Sequence, residues 1–193
     1  MRSQSGKCVI IKAASLLCVF LLMGCMTSYY IDVTEGKRAK LRVIHHRGND
    51  IDIYPNSSTC INKNDPNAGS AISKVIETGY WVTGRSTFEK KLLDMPYPPK
   101  QNQMGYPLYF EFYIPAEKEF LVSMFSQSGY NTIYQCPLKY VLMKAKESHN
   151  YELSLTTSGN VCQYSMKEIA EDGKRLPVET WKEIPKKEVK ICQ

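Results

Sequence analysis

The alternation of apolar and polar residues in short segments is the feature that most limits how this chain can fold. In segment 108–114 every second residue, from Leu108 to Ile114, is apolar, so an extended strand there would bury one face. Segment 150–156 repeats the pattern. Turn-forming residues follow such segments at short intervals, and no segment keeps helical periodicity for three turns. We therefore predict an all-β fold, an antiparallel β-sandwich of about ten strands, with an open β-barrel as the alternative.

Local turn signals predict how some neighbouring strands pair. The turn sequence 158–160 (Ser-Gly-Asn) lies between two alternating segments and predicts a hairpin there. The turn at 115–118 predicts a central hairpin that joins strands 108–114 and 119–125. Pro137 separates two further predicted strands, because proline cannot donate a hydrogen bond to a sheet.

The first 24 residues have the composition of a secretory signal peptide. Three basic residues, Arg2, Lys7 and Lys12, belong to a segment that precedes an apolar run of eleven residues at positions 13–23. This run is shorter than the roughly 20 residues that cross a bilayer. It has the length of the hydrophobic part of a signal peptide that is removed during export.

The leader ends in the tetrapeptide Leu22-Met23-Gly24-Cys25, which resembles the lipobox of bacterial lipoproteins. The resemblance implies cleavage before Cys25, acylation of that cysteine, and attachment to a lipid bilayer through it. Several acyl chains anchor a protein stably, whereas one alone holds it marginally. Met26 stands where an aspartate would resemble an inner-membrane retention signal. The implied location is the outer membrane, lipid-anchored and facing the periplasm, with the inner membrane or the cell surface as alternatives.

The predicted organisation is a signal peptide at 1–24, a lipidated tether at 25–38 and a single β-rich domain at 39–193. The whole chain carries a net charge of +6, but three of its 25 basic residues lie in the leader. Removing these three leaves 22 basic residues against 19 acidic ones, a net charge of +3. Since charges of both signs are interleaved, we predict no nucleic-acid partner.

Four cysteines besides the lipidated one belong to the mature domain: Cys60, Cys136, Cys162 and Cys192. An even number in an oxidising compartment predicts two disulfides, with buried free thiols as the alternative. A bond between Cys162 and Cys192 would hold a chain end that otherwise frays, so we expect this pair and a second bond between Cys60 and Cys136.

The sequence contains no Gly-x-Ser-x-Gly elbow, phosphate-binding loop, His-Glu-x-x-His motif or dinucleotide fingerprint. His45 and His46 are adjacent in a predicted strand, so their side chains point to opposite faces and do not ligate one metal ion. We predict no catalytic residue, no metal and no cofactor. Paired carboxylates need no local motif, so an enzyme stays as a third hypothesis.

A proline-rich loop is the candidate contact surface for a protein partner. The segment from Met95 to Pro107 has no periodicity, and it contains Tyr97 and Tyr106. Tyrosine covers a large area at a small cost in rotamer entropy, and long loops are often functional. The polar face of the next strand extends this surface through Tyr109, Glu111 and Tyr113. The alternative is that the tyrosines fold back on the sandwich and that this second sheet face is packed.

These features together predict a lipid-anchored, periplasm-facing, non-catalytic module that binds a protein. A lipobox followed by one small β-rich domain with two disulfides is similar in architecture to periplasmic immunity lipoproteins and to lysozyme-inhibitor lipoproteins. That similarity implies an immunity or inhibitor protein against an antibacterial effector, whose identity is open. A structural component of the envelope or of a secretion apparatus is the alternative.

Lipidation at Cys25 has a direct test. The variant Cys25→Ala removes the sulfur that would carry the thioether, so metabolic labelling with a palmitate analogue should be lost and the precursor should accumulate. Mass spectrometry of the wild-type and variant chains checks both the lipid and the processing. Normal labelling and processing of Cys25→Ala would rule out this attachment site.

Overall fold

The computed structural model describes residues 29–45, 48–72, 92–100, 108–128, 134–158 and 161–192, which consist almost entirely of strands and turns. A 3-10 turn at Lys186–Glu188 is the one helical element in these ranges, and no helix among the described residues is long and apolar enough to cross a membrane. The strands, in chain order, are β1 Arg38–His45, β2 Asn49–Tyr54, β3 Cys60–Ile61, β4 Gly69–Ile72, β5 Leu108–Pro115, β6 Glu119–Ser128, β7 Tyr134–Lys144, β8 Asn150–Ser158, β9 Val161–Ile169, β10 Arg175–Pro177, β11 Trp181–Ile184 and β12 Lys190–Ile191.

Two five-stranded sheets pack face to face, which confirms the predicted β-sandwich. The first sheet has the order β10-β9-β8-β1-β5 and the second has the order β11-β7-β6-β2-β4. Within these two sheets neighbouring strands are antiparallel except for β1 and β8, which are parallel. A small third sheet joins β12 to β3. The described strands thus form separate sheets rather than one closed sheet.

Alternate residues of each strand supply the core between the two sheets. Leu41 and Val43 of β1 are buried there, and Ile51 and Ile53 of β2 face them from the second sheet. Leu153 of β8 belongs to the same cluster. Because successive side chains in a strand point to opposite faces, this alternation also determines which polar residues lie on the outer faces.

The predicted hairpin at 158–160 is confirmed, but the predicted central hairpin is wrong. Strands β8 and β9 pair along their full length, from Asn150 opposite Ile169 to Ser158 opposite Val161. In contrast, β5 pairs with β1 in the first sheet, while β6 pairs with β2 and β7 in the second. The connection after Pro115 crosses between the sheets, and the backbone N–H of Ala116 donates to Lys37 and that of Glu117 to Ala145. Alternation predicts which face of a strand is buried. Two successive strands can bury those faces as a hairpin within one sheet or as neighbours on facing sheets, so the pattern does not distinguish the two cases.

Pro137 lies within one strand instead of separating two. Strand β7 runs from Tyr134 to Lys144, and its pairing with β6 is irregular between Met124 and Ser126. Strand β11 pairs with β7 only from Tyr140 onward. Pro137 therefore lies at the irregularity of the β6–β7 pairing, between the pairs Met124↔Lys139 and Ser126↔Cys136, and proline is tolerated in a sheet at such a bulge.

The packed domain includes Tyr29–Val33, which the predicted organisation assigned to the tether. Tyr30 is buried, and its ring meets Phe112 edge to face with centroids 5.7 Å apart. The hydroxyl of Tyr30 donates to the carbonyl of Tyr113 at 2.7 Å, and its backbone N–H donates to Ser70 at 3.0 Å. The segment thus joins β5 of the first sheet to β4 of the second and closes that side of the sandwich.

Cysteines 60, 136, 162 and 192 form two disulfides, but the predicted pairing is wrong. Cys60 bonds to Cys192, and Cys136 bonds to Cys162. The C-terminal strand β12 pairs with β3 rather than with a large sheet, which brings Cys192 beside Cys60. The second disulfide links β7 to β9 and so ties the two sheets together. The expected stapling of the C-terminus holds, but its partner lies 132 residues away.

The two disulfides should differ in their contribution to stability. The Cys60–Cys192 bond spans 132 residues and the Cys136–Cys162 bond spans 26. Removing a native disulfide typically costs about 2–5 kcal/mol, and a longer closed loop restricts the unfolded chain more. We expect Cys60→Ser/Cys192→Ser to lose about 1 kcal/mol more unfolding free energy than Cys136→Ser/Cys162→Ser. Urea unfolding measures both, and the reverse order would contradict the loop-closure explanation.

Candidate functional site

The segment 92–100 lies against the outer face of the first sheet, and charged side chains hold it there. Arg42 is at the centre of this face, on strand β1. The strand register places Glu111 of β5 directly opposite it on one side and Glu152 of β8 on the other. An arginine between two glutamates on neighbouring strands is a favourable cross-strand arrangement. We call Arg42, Glu111 and Glu152 the charged triad.

The ion pair between Arg42 and Glu111 is fully buried. Both Nε and Nη2 of Arg42 donate to Oε1 of Glu111, at 3.0 Å and 2.8 Å, and the two residues are 0% and 1% exposed. Nη1 of Arg42 lies 3.5 Å from Oε2 of Glu152, which is partly buried. Burying charges is costly unless they are paired and fully hydrogen-bonded. The remaining donors and acceptors of this pair are satisfied by the segment above them.

Two members of the triad, the positive Arg42 and the negative Glu111, bind the backbone of segment 92–100. Nη2 of Arg42 donates to the carbonyls of Met95 and Pro96, and Nη1 donates to that of Tyr97. The other carboxylate oxygen of Glu111 accepts from the backbone N–H groups of Leu93 and Met95, at 2.6 Å and 3.2 Å. Five hydrogen bonds to buried charges therefore fix the path of this segment, and charge-assisted bonds are stronger than neutral ones.

Tyr97 is the aromatic residue that the described part of this segment presents to solvent. Its side chain is 46% exposed, and its hydroxyl donates to the carbonyl of Glu171 at 2.9 Å. The ring packs on Gly173, where an added Cβ would lie 2.9 Å from ring atoms. Gly173 has φ +81° and Tyr97 itself has φ 53°, a conformation that is uncommon for a residue with a side chain. Tyr97 thus rests on the turn between β9 and β10.

A second arginine, Arg175 of β10, also binds the segment, at the edge of the first sheet. Nη2 of Arg175 donates to the carbonyl of Tyr97 at 3.0 Å, so two arginines share this oxygen. Arg175 also binds both carboxylate oxygens of Glu152, at 2.8 Å and 3.1 Å. These hydrogen bonds to the Glu152 carboxylate raise the pKa of Arg175 above its usual value. The guanidinium keeps its charge at every physiological pH.

The predicted contact residues occupy three different environments. Tyr109 and Glu111 are buried, and the Arg42 guanidinium lies 5.2 Å from the centre of the Tyr109 ring. For these two, the alternative of a packed second sheet face holds. Tyr113 is half-buried beneath Arg38, whose guanidinium is 4.6 Å from its ring centre. Tyr97 is exposed. Tyr106 and the predicted lipidation site Cys25 lie outside the described residues.

An open groove lies at the edge of the sandwich farthest from β4 and β5, between β9 of the first sheet and β7 and β11 of the second. Its volume is about 460 Å³, and Tyr164, Met166 and Trp181 contribute to its walls. Lys139 in the same groove pairs with Glu183 at 2.7 Å and lies 4.6 Å from the centre of the Tyr164 ring. This ion pair satisfies the charges of one wall within the chain itself.

The described residues contain no cluster of three His, Cys, Asp or Glu side chains able to hold a metal ion.

The sequence analysis did not identify several residues that determine the site. Arg42, Glu152 and Arg175 lie on three strands, far apart along the chain. The available signal was Arg42 itself, a charged residue between the core residues Leu41 and Val43. No family model, curated protein or solved structure matches the chain.

The buried and the exposed arginine offer a matched comparison, because both bind the carbonyl of Tyr97 and the carboxylate of Glu152. Arg42→Met should lower the unfolding free energy by about 3–5 kcal/mol, since it leaves the Glu111 charge buried without a partner. Arg175→Met removes the more exposed of the two arginines, while the Glu152 carboxylate keeps its contact with Arg42, so it should cost no more than about 1 kcal/mol. Denaturant unfolding measures both. Equal losses would contradict the central role assigned to Arg42.

Proposed function

We propose that this chain is a lipid-anchored, periplasm-facing module that binds a protein partner without catalysing a reaction, and that the segment 92–100 is its contact surface. The observation that carries the proposal is the fixed presentation of Tyr97. The charged triad binds the backbone of residues 93–97 and Arg175 binds the carbonyl of Tyr97, while the ring itself stays accessible.

A preformed contact surface lowers the entropic cost of binding. Association otherwise loses free energy when flexible segments become ordered. Here prolines 96, 98 and 99 restrict the backbone, and the bonds from Arg42 and Glu111 hold it against the sheet. Pro96 and Pro98, on either side of Tyr97, are exposed with it. A rigid aromatic side chain between exposed prolines is a surface suited to an interface hot spot.

The proposed partner is an antibacterial effector that reaches the periplasm, so the module would act as an immunity or inhibitor protein. This step rests on the architecture of lipobox, single β-sandwich and two disulfides. A lipid-anchored inhibitor remains in the compartment where such an effector acts. The mature net charge of +3 disfavours a strongly basic target, because like charges slow the encounter.

A photo-crosslinking amino acid at position 97 tests the proposed surface in producing cells. It should give one discrete protein adduct, and the same amino acid at the exposed position 161, at the end of β9 opposite the turn that carries Gly173, should not give it. The partner identified in this way is then purified. Its affinity for Tyr97→Ala should fall by more than about 2 kcal/mol, roughly thirtyfold, with a nearly unchanged thermal midpoint.

Two further variants separate binding from folding. Tyr97→Phe keeps the ring and loses only the hydroxyl bond to Glu171, so it should retain most of the affinity. Val161→Ala, at a remote exposed position, should leave affinity unchanged. If Tyr97→Ala instead lowers the thermal midpoint by many degrees, the tyrosine is a structural residue and the proposed surface is wrong. Unchanged affinity with unchanged stability would also reject it.

A further inference from the structure

The lipidation site lies unusually close to the packed domain. Only three residues, Met26 to Ser28, separate Cys25 from Tyr29, where the described structure begins. Four fully extended residues span at most about 14 Å. An acylated Cys25 therefore holds the side of the sandwich that carries Tyr29 within about that distance of the bilayer surface.

The chain is already fixed to the sandwich at this point. Tyr30 is buried against Phe112, and the backbone N–H of Ile31 donates to Asn67 at 3.2 Å. The N–H of Val33 donates to Tyr113. Because these contacts hold the segment at the β4 and β5 edges, the short tether restricts the orientation of the whole domain and not only its position.

Apolar side chains project from this edge on both sides of the buried Tyr30. Tyr29 is 39% exposed and Ile31 is 55% exposed. Alternation in an extended segment explains the pattern, since residues next to an inward side chain point outward. A tyrosine beside an aliphatic side chain suits the interfacial region of a bilayer, where an apolar body and a polar tip are both accommodated.

We propose that the β4–β5 edge of the sandwich docks on the bilayer surface, with Tyr29 and Ile31 entering the interfacial region. The inference rests on the proposed lipidation of Cys25. It identifies the lipid headgroup region as the occupant, because the chain leaves too little length for another protein to lie between this edge and the membrane. The two edges are about 19 Å apart, four strand spacings, so the docked domain directs β10 and β11 away from the bilayer.

This orientation also determines what a partner would meet. Tyr97 rests on Gly173, in the turn between β9 and β10. That turn belongs to the side of the first sheet farthest from β5. The groove beside Trp181 opens on the same side. A domain docked through β4 and β5 therefore displays both features away from the membrane.

Hydrogen exchange on the acylated mature chain tests the docking. The chain is reconstituted in vesicles of phosphatidylethanolamine and phosphatidylglycerol and compared with the unacylated Cys25→Ser chain in solution. Docking should slow the exchange of amides in 29–33 and 67–70 by about fivefold or more, because it opposes local opening of that edge. Amides in 162–166 should exchange equally in both states. The proposal would be overturned if the vesicle slowed exchange equally at the two edges, or if it slowed exchange at neither.

A pair of matched variants, both acylated, separates docking from tethering. Ile31→Ser removes an exposed apolar side chain from the docked edge and should abolish most of the vesicle-dependent protection. Val161→Ser removes one that is 66% exposed from the other side and should keep all of it. Full protection in Ile31→Ser would overturn the docking proposal alone. An absence of lipid on wild-type Cys25, read by mass spectrometry, would instead overturn the anchor and the docking together.

Discussion

The buried ion pair between Arg42 and Glu111 determines what the outer face of the first sheet can hold. Arg42 is on β1, which has a strand neighbour on each side, and its guanidinium is fully buried. A guanidinium has five N–H donors in a fixed planar geometry. Here they are directed at two carboxylates and at three carbonyls of one segment. These bonds hold the segment 92–100 against the outer face of the first sheet.

Stability alone does not explain why charges occupy this position. Replacing a buried ion pair by well-packed apolar residues is often neutral or stabilising. Apolar residues at 42 and 111 would cover the sheet, but they would leave the carbonyl of Met95 and the amides of Leu93 and Met95 without partners. The charged triad satisfies these groups and thereby specifies the path of a segment rich in proline, which forms few backbone hydrogen bonds of its own.

The parts of the fold that depend on local pattern were predictable, and the parts that depend on distant contacts were not. Alternation identified β5 and β8 and their buried faces, and a local turn identified the β8–β9 hairpin. Alternation does not distinguish two strands of one sheet from two strands on facing sheets, which is why the connection after Pro115 was assigned to a hairpin. The partner of Cys192 depended on β12 pairing with β3, and two strands of two residues leave no sequence signal.

The candidate site shows the same limit. Tyr97 was identified from its loop composition, but Glu111 and Tyr109 were expected on an exposed surface because their strand alternates polar and apolar residues. A polar outer face is compatible with solvent and also with a charged partner from the same chain. Deciding between them requires the register that sets Arg42 opposite Glu111, a contact between residues 69 positions apart. That register is a property of the assembled sheet.

The proposed lipid anchor and the proposed contact surface place complementary requirements on one small domain. A protein that binds a partner in the periplasm benefits from a fixed orientation, because fewer encounters are lost to a contact surface that faces the membrane. A long flexible tether would give reach but no orientation. In the proposed arrangement the short segment after Cys25 supplies the orientation, and the charged triad keeps Tyr97 fixed relative to the sheet. In this arrangement the Tyr97 ring meets the partner in a restricted orientation relative to the membrane, because only a short segment separates the proposed lipid anchor from the packed domain.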